Sequence, residues 1–437
     1  EGKKVKTVNE VPLIEELPKG FMATQTGKRS MLWRADKPAT LVWVEALDKG
    51  DPEVEVPYRD QVFEQKAPFS AAPKPIFKMI NRFAGIIWGD DDTAIAYDRW
   101  WNTRNTKSYL IDPSKENGEA VVINDRNYQD VYSDPGNFVT KENKYGENVL
   151  ELDGDKAYLI GDGYSEKGQF PFIDELDLKS KQTKRIYESE YTDKLENLQE
   201  AIDMDKGEIL VRIEAPTEYP DYYIRNIKTD KLKQITFFEN PFKSIQDVHK
   251  EVITYKRDDG LELSGTLYLP VGYDMEKKEK KPMILWAYPK EFKDQVSAAQ
   301  KTSNPNKFTY PHYGSPIYWV TKGYVVLDKA QFQFDITNRN KIITPDDSWT
   351  RISVPIKKGQ KFFEIRNVEI NNNLPWAEEN CNLIHKSYDT SPFFDLYKVF
   401  LDSLYEKRWN LIFDLNLQLL KKIFDWLDIK TEIVLES

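Results

Sequence analysis

Chemistry by nucleophilic attack needs an exposed nucleophile with a base beside it, and this sequence offers few of either. A serine nucleophile is commonly displayed on a G-x-S-x-G turn, whose small flanking residues permit the sharp bend. That motif is absent from the 437 residues. The nearest approach is Gly314-Ser315-Pro316, where the proline lacks the backbone N–H that helps hold an oxyanion. The three histidines, His249, His312 and His385, each read as surface or packing residues. Cys381 is the single cysteine, so no disulfide can form within the chain. No pair is read as having the spacing of a metal site, and neither a Walker A loop nor a dinucleotide fingerprint occurs. No catalytic triad, metal or cofactor is therefore expected. Asn338, Arg339 and Asn340 are candidate ligand-binding residues, because Arg grips phosphate bidentately and suits a phosphate or sugar nucleotide. The alternative there is a turn satisfied by its own Asn side chains.

The elements that must carry these residues are β-rich. Aromatic residues make up 13% of the chain and hydrophobic ones 40%, enough for sizeable cores. The length allows two to four domains at roughly 100–200 residues each. A net charge of −10, from 62 basic and 72 acidic residues, argues against a nucleic-acid binder. No apolar run approaches the ~20 residues that span a bilayer, and no signal peptide is visible. The chain opens at Glu1 in mid-pattern and reads as a fragment or a processed chain.

An internal repeat organises the first half. An apolar residue, two variable residues and an Asp precede a short β-rich run. The copies are Trp33/Asp36, Trp88/Asp91, Leu152/Asp155 and Ile202/Asp205, about 55, 64 and 50 residues apart, near the blade length of propellers. The apolar residue would end one strand and the Asp would turn the chain by bonding backbone N–H groups two residues on. A second strand follows in each unit, such as residues 108–112 and 172–176. Four short strands per unit around a channel is the propeller's answer to exposed sheet edges; ordinary hairpins of a sandwich are the alternative.

After residue 241 the pattern changes. Residues 251–270 read as a hairpin turning at Asp259 and Gly260. Buried-type strands follow at 283–289 and 323–328. The segments YKRDDGLELSGTLYLPVGY, KKPMILWAYPKEFKD and SPIYWVTKGYVVLD resemble the start of the catalytic domain of prolyl oligopeptidases, most of all their glutamyl endopeptidase-like members. The resemblance covers about residues 1–328. It implies a propeller over an α/β-hydrolase that cuts peptides with a Ser-His-Asp triad, and further blades ahead of Glu1. It also implies that Tyr288 lies where a hydroxyl can donate to an oxyanion; the alternative is a strand-end Tyr packed under the propeller. The triad itself has no counterpart. His249 precedes the hydrolase strands, His312 lies between early ones, and His385 sits where the resemblance has ended.

Beyond Asp328 a second resemblance takes over. LDKAQFQ, NRNKI, WTRISVPIKKG, VEINNNLPW, SPFFDLY and DLNLQLL are similar to the WbqC-like family of bacterial polysaccharide gene clusters, over about residues 325–437. Phe334 departs from it, falling where a more polar or basic residue is expected. Residues 349–356 and 361–370 read as strands. Trp409, Ile412, Phe413, Asn416, Leu419, Leu420, Ile423, Phe424 and Leu427 mark an amphipathic helix facing a core, with Glu406 and Asp414 turned away. Its polar face is not basic, so a membrane-surface helix is not expected.

The expected fold is mainly β: an incomplete β-propeller over 1–245, a truncated α/β-hydrolase over 246–328 and a small WbqC-like α/β segment over 329–437. Three functions remain open: a peptidase section without activity, a transferase-like or ligand-binding unit of polysaccharide biosynthesis, and a peptide-binding propeller module. Peptides are the expected partner, with no nucleic acid and no membrane, and with self-association through uncovered hydrolase strands. For compartment, the peptidase resemblance implies frequent export in bacteria and the WbqC-like one implies cytoplasm.

Overall fold

The structure is a computed structural model that describes residues 7, 9–256, 262–277, 279–288, 290–331, 339–346, 349–357, 360 and 365–428. The chain divides into two compact units, Glu1–Phe332 and Gln333–Ser437.

The first unit opens with four antiparallel sheets in series, the expected blades. Blade 1 runs Arg29–Trp33, Thr40–Ala46, Asp60–Lys66, Lys74–Met79, and blade 2 runs Arg82–Trp88, Ala94–Trp100, Asn105–Ile111, Val121–Asn127. Blade 3 is built on Leu152–Asp153, Lys156–Gly161, Phe172–Asp177 and Thr183–Glu188, with Asn137–Phe138 added to it. Blade 4 runs Leu195–Asp203, Glu208–Glu214, Asp221–Asn226, Lys231–Gln234. The sequence repeat marks the same place in each: the link from the first to the second of these strands.

Strand alternation explains why blades stack face to face. Successive side chains point to opposite faces of a sheet. In blade 2, Ala94 and Ala96 pack with Val42, Val44 and Val62 of blade 1, while Ile95 between them packs with Ala157 and Leu159 of blade 3. In blade 3, Tyr158 turns the other way, onto Ile209, Val211 and Ile213 of blade 4. Each fully buried apolar side chain contributes roughly 1.5–3 kcal/mol, so the interblade layers hold this half together.

The repeat Asp residues do something other than expected. Asp36 accepts from Arg34 at 2.6 Å, Asp91 pairs with Lys37 at 2.9 Å across blades 1 and 2, and Asp155 pairs with Lys179. Neighbouring acids satisfy the turn N–H groups instead: Asp203 accepts from Lys206 N at 2.9 Å and Asp90 from Asp92 N at 3.3 Å. At three of the four repeat positions a lysine or arginine is within reach of the Asp.

Several buried polar side chains inside the propeller are paired, although Arg29 Nε and Arg212 Nε have no hydrogen-bond partner among the described residues. Arg82 joins Asp48 and Asp60 at 2.8 and 3.1 Å, and Phe83 N donates to Asp60 at 2.7 Å. Asp98 accepts from Asn81 N, Lys107 N and the Tyr109 hydroxyl. Glu196 receives the Tyr187 hydroxyl and Arg225.

The hydrolase-like sheet follows: β1 (His249–Lys256), β2 (Glu262–Leu269), β3 (Met283–Leu285) and β4 (Val325–Asp328). Its spatial order is β1-β2-β4-β3. β1 and β2 form the expected hairpin, from His249↔Leu269 to Lys256↔Glu262; its turn at Asp259 and Gly260 lies outside the described residues. β4 pairs antiparallel with β2 and parallel with β3. The segment joining β3 to β4 lies on the propeller. Asp294 caps the short helix α1 (Gln295–Ala299) by accepting from Ser297 N and also receives Asn127 of blade 2. Gln300 bonds Val131 N and Asp130, Asn306 reaches Thr192 O, and Phe308 N donates to buried Glu214 of blade 4 at 2.8 Å. Phe308, Tyr310, Tyr219 and Phe242 form an aromatic cluster with ring centroids 5.2–6.4 Å apart.

The second unit holds a hairpin, β5 (Arg339–Ile343) and β6 (Trp349–Ser353), and helices α2 (Trp376–Tyr388), α3 (Phe394–Glu406) and α4 (Ile412–Trp426). The strand expected over 361–370 is replaced by a 3-10 turn, Ile365–Asn367, and single bridges at Ile370 and Glu369; residues 361–364 lie outside the described residues. The core is Ile370, Trp376, Leu404, Trp409, Ile412 and Leu415. The expected amphipathic helix is α4, but only its first turns are buried, and Leu420 and Leu427 are exposed. Glu406 is not on that helix; it ends α3. Among the described residues no helix is long and apolar enough to cross a membrane.

Replacing Asp60 by Ala would take one of its two carboxylates from the buried Arg82 guanidinium and leave Arg29 without that partner and Phe83 N without its acceptor. Loss of one partner of such a pair costs about 3–5 kcal/mol. The urea midpoint of the full chain should fall accordingly, whereas Asp91→Ala at the exposed turn should shift it by under about 1 kcal/mol.

Candidate functional site

Two places gather reactive side chains, one in each unit. The first lies at the ends of β3 and β4. Trp286 N donates to Leu327 O at 2.8 Å and Ala330 N to Trp286 O at 3.2 Å, so the chain beyond β4 stays alongside β3. Gln331 then locks onto β2: its N donates to Ser264 O at 3.0 Å and its Oε1 accepts from Ser264 N at 2.9 Å. The Tyr255 hydroxyl donates to Gln331 O at 2.7 Å.

Tyr288, just past β3, is 79% exposed, which is not the packed position considered as its alternative. Ser315 caps the 3-10 helix Pro316–Lys322, its Oγ accepting from Ile317 N at 3.4 Å. His312 stands three residues away and its Nδ1 takes Gly314 N at 3.2 Å, while its carbonyl takes Ser315 N at 2.8 Å. This is the wiring of a turn: serine and histidine are tied through backbone. His249 is exposed at the start of β1, 3.7 Å from Glu251. The structure therefore does not gather Ser315, a histidine and an acid into one hydrogen-bonded chain.

Lys250 and Asp328 were not singled out in the sequence. Burial pushes the Lys250 ammonium down to about 8, with Lys329 and Lys307 adding repulsion and Glu214 opposing them. Burial likewise pushes the Asp328 carboxyl up. Nothing in the local sequence announces either shift, because it arises where β1 meets the segment leading into β4.

The second place is in the helical unit. Cys381 and His385 are four residues apart on α2 and so share a face. His385 Nε2 meets Asp402 Oδ1 of α3 at 2.6 Å, and Nδ1 meets Asp389 Oδ1 at 3.0 Å. Cys381 Sγ lies 3.7 Å from the same Asp402 oxygen. Asp402 first, and Asp389 with it, raises the His385 imidazole above its ordinary value; burial and then Asp402 push the Cys381 thiol up. The i, i+4 pair Cys381 and His385 departs from the reading that no pair has metal-site spacing, and His385, read as a surface or packing residue, is half-buried between two carboxylates. The i, i+4 pair was in the sequence, but α2 was not recognised as a helix, because two of its buried positions are Asn380 and Ser387 rather than apolar residues. A cleft of about 530 Å³ adjoins the cluster, lined among others by Cys381, Asp402 and Glu406.

Of the candidate ligand-binding residues, Arg339 and Asn340 are backbone partners of Ser353 and Ile352 in the β5–β6 hairpin, a strand rather than a turn. Asn338, like Phe334, lies outside the described residues.

Comparison with known proteins agrees with both resemblances. Residues 305–437 match the model of the WbqC-like protein family, starting upstream of the expected residue 325. Over 342 residues, 75% of this chain, the sequence is 34% identical to the "Probable glutamyl endopeptidase, chloroplastic" of Oryza sativa subsp. japonica. The protein of the same name from Arabidopsis thaliana is also 34% identical, over 343 residues. The chain spans 36% of the length of each of these curated relatives. Among solved structures, oligopeptidase B from Leishmania major aligns over 68% of this chain and 44% of its own, with TM-score 0.41 and 9% identity. Acylaminoacyl peptidase from Pyrococcus horikoshii aligns over 68% and 39%, with TM-score 0.39 and 14% identity.

The Lys250 shift sets a pH dependence. Below pH 8 the lysine is charged in both states and the folded protein carries the full desolvation cost. Between about 8 and 10.5 the unfolded chain holds a proton the folded chain has shed, so stability rises with pH through that window. Lys250→Met should raise stability at pH 7 by on the order of 1–3 kcal/mol and flatten the rise, as followed by urea midpoints from pH 7 to 10.

Proposed function

We propose that residues 1–328 form a peptide-receiving framework of the prolyl oligopeptidase type that does not itself hydrolyse peptides, joined to a WbqC-like unit. The working division is 1–245, 246–328 and 329–437. One observation carries the reading: β4 completes a parallel pair with β3 in the hydrolase-like sheet, and the match to another family that begins at residue 305 takes in β4 and everything after it. No nucleophile elbow follows. Ser315 supports this, since its Oγ serves as a cap and Pro316 removes an oxyanion donor. The relatives' name, glutamyl endopeptidase, points to peptides as the ligand class. Tyr288, open to solvent, is the candidate hydrogen-bond donor to a bound peptide at the oxyanion position.

The edge of the sheet favours self-association. β3 is an edge strand with Met283 and Leu285 exposed by 54% and 56%, and Trp286 beside it by 53%. Exposed apolar edges of this kind invite pairing with another chain. For the WbqC-like unit, the family match supports a second reading, in which Asn338, Arg339 and Asn340 contact a phosphate or sugar nucleotide.

The purified chain should leave a panel of peptide substrates intact and should not react with a fluorophosphonate serine probe. Turnover that disappears in Ser315→Ala would overturn the proposal. In sedimentation velocity the chain should sediment as an oligomer at micromolar concentration, and Leu285→Lys with Trp286→Lys should shift it toward monomer.

A further inference from the structure

The α2–α3 pair brings a thiol, an imidazole and a carboxylate to one point. Cys381 Sγ, His385 Nε2 and a carboxylate oxygen of Asp402 all lie within 4.8 Å of one another. A tetrahedral zinc with bonds of about 2.0–2.3 Å holds its ligand atoms about 3.3–3.8 Å apart. The Cys381–Asp402 distance of 3.7 Å already fits. His385 and Asp402, at 2.6 Å, need to part by roughly 1 Å, replacing a hydrogen bond by two metal bonds. A bare ion pair would need only His385 and Asp402. It leaves unexplained why the one thiol of the chain points at the same oxygen.

The outer contacts fit as well. Ligating histidines nearly always donate their other ring nitrogen to a carboxylate, a backbone carbonyl or water, which fixes the tautomer and aims the free nitrogen at the metal. Here Asp389 takes Nδ1 at 3.0 Å, and Asp389 is itself held by Lys398 at 3.3 Å. The cleft of about 530 Å³ reaches Cys381 and Asp402, so a fourth coordination position would face open space beside Glu406.

We propose that Cys381 Sγ, His385 Nε2 and Asp402 form a site for a divalent transition-metal cation, with zinc the best fit and one coordination position open to the cleft. The donor set of one thiolate, one imidazole and one carboxylate suits zinc over magnesium or calcium, which prefer all-oxygen shells. Binding releases the thiol proton of Cys381, because a coordinating thiol is deprotonated outright. This site is independent of the peptidase reading and stands or falls separately.

The test uses the full chain, stripped with chelator and titrated with cobalt(II) and then zinc(II). One equivalent of cobalt should give the visible bands of a tetrahedral site and a thiolate-to-cobalt charge-transfer band, both bleached by zinc. Cys381→Ser should abolish the charge-transfer band, and His385→Gln should weaken zinc binding at least tenfold. Asp389→Asn, which removes no ligand, should weaken it about tenfold to a hundredfold while keeping the charge-transfer band. Absence of the charge-transfer band in the folded unmodified chain, or equal zinc affinity in the Cys381→Ser, His385→Gln double variant, would overturn the proposal. X-ray absorption at the zinc edge of the unmodified chain needs no variant to fold. One sulfur neighbour at about 2.3 Å supports the site, and a shell of nitrogen and oxygen alone refutes it.

Discussion

The structure turns on the pairing of one four-residue strand. β4, with Val326 fully buried at its centre, is bonded on one side to β2 and on the other to β3. A central strand must satisfy N–H and C=O groups toward both neighbours, and β4 does so entirely within the hydrolase-like sheet. Parallel pairing with β3 requires a long crossover, and that crossover is the segment that ties the sheet to blades 2, 3 and 4. Release β4, and the crossover and the propeller contacts at Asn127, Val131 and Glu214 lose their anchor together.

The same strand is where two family likenesses meet. The WbqC-like match begins at residue 305, inside the crossover, so it includes β4. Gln331, written in the sequence as part of a WbqC-like segment, is held by Ser264 and Tyr255 of the hydrolase-like hairpin. The seam is thus a hydrogen-bonded strand end. The blades and first hydrolase-like strands thus continue without a break into the WbqC-like match, and the cluster of Cys381, His385 and Asp402 lies further along, on α2 and α3.

Much of the framework was legible in the sequence. The repeat around Trp33, Trp88, Leu152 and Ile202 marked the blade turns because strand ends recur at a fixed offset. The hairpin at 251–270 was legible because Asp-Gly sits between two alternating runs. Three things were not. Asp36 pairs with Arg34 two residues away, but the partners of Asp91 and Asp155 are lysines from another blade or another turn, which no local pattern specifies. Within the described residues 365–370 the expected strand gives way to a turn, because Ile370 makes only a single bridge, to Ile356, and is held by hydrophobic contact with Ile412 and Leu415 rather than by a ladder. Helix α2 was missed because Asn380 faces inward to bond Ser353 N and O at 3.4 and 3.0 Å, so its buried stripe is part polar. Missing that helix hid the Cys381–His385 face with it.

Amide hydrogen exchange of the β4 residues tests the assignment of this strand most directly. Leu415→Ala should loosen the core of Ile370, Trp376, Leu404 and Ile412, at a cost of about 2–5 kcal/mol. Exchange at Val325 N, which donates to Pro282 O, and at Val326 and Leu327 should then stay as slow as in β2, while α2 and α4 exchange faster. Acceleration of Val325–Asp328 in step with the helices would show that β4 belongs to the WbqC-like unit, and would contradict the account given of the seam.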